Sequence, residues 1–178
     1  MSEASFRTDV LPLKNELFRL AMRITLNRQD AEDIVQETML KVWSRREQWA
    51  EIDSMEAFCL TICHNLALDR VKRMSRQTST MLDNDTLDRA DYSYDSDPEE
   101  QTVQRDRLQI VRQLMDTLPE KQRICIQLRD VEGKPYKEIA AIMAITEEQV
   151  KVNIFRARQA IRQQFQGLEE YDQSKASK

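Results

Sequence analysis

Pro135-Tyr136-Lys137-Glu138-Ile139-Ala140-Ala141-Ile142-Met143-Ala144-Ile145-Thr146-Glu147-Glu148-Gln149-Val150-Lys151-Val152-Asn153-Ile154-Phe155-Arg156-Ala157-Arg158 is the stretch whose reading decides the fold. Proline presets the backbone for a helix start, so Pro135 opens a short helix, Tyr136–Met143, with Ile139, Ala140 and Met143 inward. Ala144-Ile145-Thr146 is a three-residue turn, and Thr146 with Gln149 three positions on has capping-box spacing. A second, longer helix follows. At 100° per residue, Val150, Ile154, Ala157, Ile161 and Phe165 fall on one side as a buried stripe. The opposite side presents Glu148, Val152, Phe155, Arg156, Gln159 and Gln163, with Lys151 on its shoulder. Two helices at this spacing read as a helix-turn-helix, whose second helix is expected to enter a DNA major groove. Outward Val152 and Phe155 suit contact with thymine methyls, although scattered outward apolar residues are also common.

Working outward, charge supports a polyanion partner. The helix from Gln149 to Phe165 carries Lys151, Arg156, Arg158 and Arg162 and no acid. A second cationic block, Arg70-Val71-Lys72-Arg73-Met74-Ser75-Arg76, ends an earlier helix. Between them Gln77–Arg105 is acidic, with Asp83, Asp85, Asp88, Asp91, Asp95, Asp97, Glu99 and Glu100, which hides the layout inside a net charge of −4. Two separated basic surfaces suit a protein that grips nucleic acid at two places.

With only 2 Gly and 4 Pro in 178 residues, the chain reads as all-α: two small helical domains joined by a flexible acidic linker. The expected boundaries are 1–76, a linker at 77–105, 106–168, and a polar tail at 169–178, each domain with its own small core. In the first half Leu13, Leu17, Leu20, Ala21 and Ile24 form a helical stripe. Asp30 is expected to cap a second helix that buries Ala31, Ile34, Val35, Thr38, Met39, Val42 and Trp43 and leaves Asp33, Gln36, Glu37, Leu40 and Lys41 outside. Ser44–Ile52 reads as a polar loop, and Asp53 with Glu56 as a weaker capping box for a third helix. Cys59, Cys63 and Cys125 with the single His64 make too few ligands for zinc and read as packed thiols. No apolar run is long enough to span a membrane and Met1–Val10 lacks a signal core, so a cytoplasmic protein is expected. Without a phosphate loop or ligand set, no catalytic constellation stands out, and the chain is expected not to be an enzyme.

Asp30-Ala31-Glu32-Asp33-Ile34-Val35-Gln36-Glu37-Thr38-Met39-Leu40-Lys41-Val42-Trp43 and Phe58-Cys59-Leu60-Thr61-Ile62-Cys63-His64-Asn65-Leu66-Ala67-Leu68-Asp69-Arg70 resemble region two of bacterial sigma factors. Leu118-Pro119-Glu120-Lys121-Gln122-Arg123, Glu132–Ala140 and Gln149–Arg158 resemble region four. With nothing similar to regions one or three, the chain resembles the extracytoplasmic-function (ECF) group of the sigma-70 family. The resemblance implies that Asp33, Gln36, Glu37 and Leu40 dock on the β′ clamp helices of RNA polymerase. Asn65 and Asp69 would open and read the promoter −10 element, with Arg70, Lys72, Arg73 and Arg76 on phosphates. Arg129, Lys151, Val152, Asn153, Phe155 and Arg156 would contact the −35 element. The implied partners are core polymerase (β′ clamp helices and β flap), promoter DNA and an anti-sigma factor, with no small-molecule substrate and no cofactor. Departures from the family pattern are Cys59 for a frequent Trp, Ala144 for a frequent Gly, and Val152-Asn153 for a frequent Ser-Arg. The competing reading is a helix-turn-helix regulator acting without polymerase, in which the helix bearing Asp33 and Leu40 would have no role.

Overall fold

A computed structural model of the chain describes residues 5–80 and 103–176. The acidic linker reading therefore lies outside the described residues over 81–102, while residues 77–80 and 103–105 belong to flanking helices. Among the described residues every regular element is helical. The first half holds α1 (Lys14–Thr25), α2 (Arg28–Ser44) and α3 (Met55–Thr80). The second holds α4 (Val103–Asp116), α5 (Glu120–Ile126), α6 (Tyr136–Met143) and α7 (Glu147–Ala176). The segment expected as a polar tail is thus helical through Ala176, continuing α7.

Local chemistry accounts for the helix ends. Asn27, not Asp30, caps α2: its side chain accepts from the Asp30 amide, which places Asp30 inside the first turn. Ser54 Oγ accepts from the Ala57 amide and caps α3 in place of Asp53, since a hydroxyl one residue closer reaches the free N–H. Glu56 is thereby free to face the second half. Thr146 and Gln149 exchange the two hydrogen bonds of a full capping box at the start of α7, 3.1 and 3.0 Å.

Leu17, Leu20, Ile24, Ile34, Val35, Leu60 and Ala67 build a three-helix core, with all three cysteines buried in the fold. Burial pushes the Cys59 and Cys63 thiols up to about 12 and Cys125 up to about 11, so they stay protonated and unreactive at neutral pH. The region between α2 and α3 differs from expectation. It forms a tight helical turn, Arg46–Glu51, and Trp49 fills the core position that periodicity assigned to Trp43. Trp49 Nε1 donates to the Val42 carbonyl at 3.0 Å, which satisfies the indole inside. Trp43 is left 48% exposed, edge-on to Phe6 and Trp49, with the Arg46 guanidinium over its ring.

The halves do not keep separate cores. One buried cluster runs from α1–α3 into Ile124, Cys125, Leu128, Ile139, Ile142, Met143, Val150 and Ile154; Met115, Leu118, Ile126 and Ala157 form a smaller second cluster. Charges seal the junction. Arg19 makes two 2.8 Å bonds to Glu132, and Arg23 binds Gln127 and Asp116. Arg123 donates to the Arg23 carbonyl at 2.7 Å, and so closes the C-terminal end of α1.

Candidate nucleic-acid interface

The helix-turn-helix is built as the sequence predicts. Ala144 ends α6 in the left-handed conformation, φ +54°, which turns the chain sharply into the Thr146 cap. In α7, Val150, Ile154 and Ala157 are buried and Ile161 and Phe165 half-buried, so the opposite side must face solvent. Lys151, Val152, Phe155 and Arg156 all stand on that exposed side, Phe155 with 68% of its surface free. Asn153 differs: half-buried, it donates to the Gln149 carbonyl at 2.8 Å, one turn back along its own helix.

Flanking residues fix the cations around this surface. Arg129 donates to the Lys134 carbonyl at 2.9 Å, and its guanidinium carbon lies 4.6 Å from the centre of the Tyr136 ring. The Lys151 ammonium is 5.9 Å from that same ring. Arg158 grips both carboxylate oxygens of Asp130, which leaves its charge compensated. Its pKa is raised first by that hydrogen bond to Asp130, with a further contribution from the Tyr136 side chain. Tyr136, Lys151, Phe155, Arg158, Gln159 and Arg162 line an open cleft of about 520 Å³ along this side. Neither Tyr136 nor Asp130 stands out in the sequence as a site residue; a tyrosine at a helix start carries no signal of its own, because its partners come from the turn after α5 and from α7.

On the first half, Gln36 and Leu40 are exposed on α2, with Asp33 and Glu37 half-buried beside them, and Leu40 shows 69% of its surface. Glu37 pairs with Lys41 one turn on. From the middle of α3 toward its C-terminal end, Asn65, Asp69, Lys72, Arg73 and Arg76 are exposed. Asn65 Oδ1 lies 3.2 Å from Nδ1 of His64, whose burial lowers its pKa and keeps the ring neutral. Arg70 stands apart from the other cations. It is half-buried and bonds Asp30 at 2.8 Å, with Asp33 at 4.0 Å, so it ties α3 to α2.

A capped helix with an apolar-and-cationic outer side, set behind a left-handed turn, defines a DNA-binding protein of the helix-turn-helix class. Comparison with known proteins narrows this. Residues 10–77 match the model of sigma-70 region 2, and residues 108–161 that of sigma-70 region 4. The ECF RNA polymerase sigma factor SigE of Mycolicibacterium smegmatis is 35% identical over 149 residues, which cover 83% of this chain and 56% of that protein. The ECF RNA polymerase sigma-E factor of Salmonella typhimurium is 30% identical over 145 residues, covering 78% of this chain and 75% of the relative. Among solved structures, the fold is similar to the sigma factor RpoE from Bartonella quintana, crystallised with the anti-sigma factor NepR: TM-score 0.72, 23% identity, 90% of this chain and 96% of that one covered. It is also similar to CnrH in complex with the cytosolic domain of CnrY, at TM-score 0.60 and 19% identity, covering 91% and 88%. The chain belongs to the ECF sigma factors of the sigma-70 family. Among the described residues no helix is long and apolar enough to cross a membrane.

Proposed function

We propose that this chain is a dissociable promoter-specificity subunit: it binds core RNA polymerase, carries it to −35 and −10 elements, and catalyses no reaction itself. The observation that carries this reading is the exposed row Lys151, Val152, Phe155 and Arg156 on a helix whose other side buries Val150, Ile154 and Ala157 in the core. Cations and apolar groups on one accessible helix face suit phosphates, base edges and thymine methyls together. Lys72, Arg73 and Arg76 supply a second cationic surface at the end of α3, beside Asn65 and Asp69, which suit capture of an unstacked −10 base. Exposed Leu40, rimmed by Asp33, Gln36 and Glu37, suits a partly apolar docking site on the β′ clamp helices, and region four suits the β flap. An anti-sigma factor is the expected negative regulator, by analogy with the relatives solved in such complexes.

The test is reconstitution. Purified chain added to bacterial core polymerase should co-elute with it and direct transcription from a subset of a promoter library. Leu40→Asp should abolish co-elution while leaving the melting temperature unchanged. A chain that binds duplex DNA but never associates with core polymerase would replace this reading with that of a free-standing regulator.

A further inference from the structure

The −35 reading surface depends on cations whose side chains are long and, in isolation, free to wander. Lysine and arginine each give up considerable rotamer freedom when fixed. Two of the cations on this surface nevertheless share one neighbour. The Tyr136 ring has the Arg129 guanidinium 4.6 Å and the Lys151 ammonium 5.9 Å from its centre, both inside the range of cation–π attraction. Arg129 comes from the turn after α5, Tyr136 from the first position of α6 and Lys151 from the first turns of α7, so one ring joins all three segments of the module. The ring itself is well placed to be rigid. Tyr136 is half-buried and packs against the main core, while Pro135 before it fixes the backbone at the N-cap of α6.

Resting on the promoter-binding reading above, we propose that Tyr136 is a positioning residue for −35 recognition, its aromatic face setting the spacing of Arg129 and Lys151 before DNA arrives. Toward Arg129 and Lys151 the role belongs to the ring, since attraction to a cation comes from the ring quadrupole, while the hydroxyl interacts with Arg158, already held by Asp130. Phenylalanine should therefore serve and leucine, of similar apolar character, should not. Tyr136 touches no base in this account; it acts through its two cations, and its loss should be felt at the base pairs those cations read.

The experiment uses full-length chain in reconstituted holoenzyme on a promoter that the wild-type holoenzyme selects, together with versions altered at single −35 base pairs. If wild-type holoenzyme selects no promoter, the promoter-binding reading fails, and the spectroscopic arm below still decides the present one. Tyr136→Phe should keep discrimination within about twofold. Tyr136→Leu should lose roughly five- to thirtyfold, the loss expected when two cation–π contacts go. In a Lys151→Ala background the same leucine change should cost markedly less, because one of the side chains it positions is gone. Full discrimination by Tyr136→Leu, an equal loss in Tyr136→Phe, or strict additivity with Lys151→Ala would each overturn the proposal. Should the leucine variant fail to fold, NMR of the unmodified chain decides. The Lys151 ε-methylene protons should lie upfield under the ring current in wild type and Tyr136→Phe; random-coil shifts would refute the contact.

Discussion

Ala144 holds φ +54° at the C-cap of α6, where an L-residue with a Cβ meets the following carbonyl. That conformation costs roughly 1–2 kcal/mol in a non-glycine residue, against the greater freedom glycine loses on folding, roughly 0.5–1 kcal/mol. Ala144→Gly should therefore stabilise the chain by about 0.5–1 kcal/mol, and Ala144→Val should destabilise it, as chemical denaturation will show. Glycine that fails to stabilise would mean the turn is relaxed in solution. Phe155 argues the other way round, from stability to function. With 68% of its surface in water it contributes little to the fold, so Phe155→Ala should leave the melting temperature within about 1 °C. The same change should lower transcription from a selected promoter several-fold if the ring meets thymine methyls in the groove, at about 1 kcal/mol or more per lost contact. Unchanged promoter strength would remove Phe155 from the reading surface.

At the scale of elements, what the sequence made legible was whatever a few consecutive residues decide. Helix α6 begins and ends where Pro135 and Ala144 say it should, and the reciprocal Thr146–Gln149 bonds follow from a four-residue motif. Because Thr146 alone satisfies the Gln149 amide, Thr146→Ala should cost about 1 kcal/mol and Thr146→Ser almost nothing, measured by urea denaturation. Equal stability of all three would show that water replaces the cap. The misreadings came where periodicity met tertiary competition. Trp43 and Trp49 are both near the core end of α2, and the one whose indole N–H reaches a carbonyl took the interior. Arg70, one of the four cations expected on phosphates, also pairs with Asp30 and Asp33 some forty positions earlier, a separation local patterns do not report. Asn153, expected on the −35 element, likewise bonds its own helix backbone one turn back, since an amide can do so as readily as it bonds a base.

Across the whole molecule, the junction of the two halves is the feature least visible in sequence, since Arg19 and Glu132 are 113 residues apart and each looks like an ordinary surface charge. A buried charge at that junction is Lys134, 7% exposed, whose ammonium meets Glu16 of α1 at 2.8 Å and also binds Glu56 of α3. Burial acts to lower the Lys134 pKa, but the two carboxylates outweigh it and hold it above 10.5. The hydrogen bond from Lys134 lowers Glu56 below 4.5, whereas burial raises Glu16. A lysine raised in the folded state stabilises fully below 10.5 and loses that contribution as pH rises through its folded value. A carboxylate lowered in the folded state stabilises above 4.5 and loses that contribution as pH falls. Replacing Lys134 by Met would leave two facing carboxylates without their cation, a loss on the order of 2–3 kcal/mol near neutrality. The stability gap between wild type and Lys134→Met should accordingly be widest in the middle of the pH range. It should narrow as pH rises from 10.5 through the raised folded-state value of Lys134, and again as pH falls from 4.5 through the lowered folded-state value of Glu56. Urea melts of both proteins from pH 4 to 11 measure the gap directly; a gap that does not change with pH would mean that Lys134 holds the halves together by packing alone.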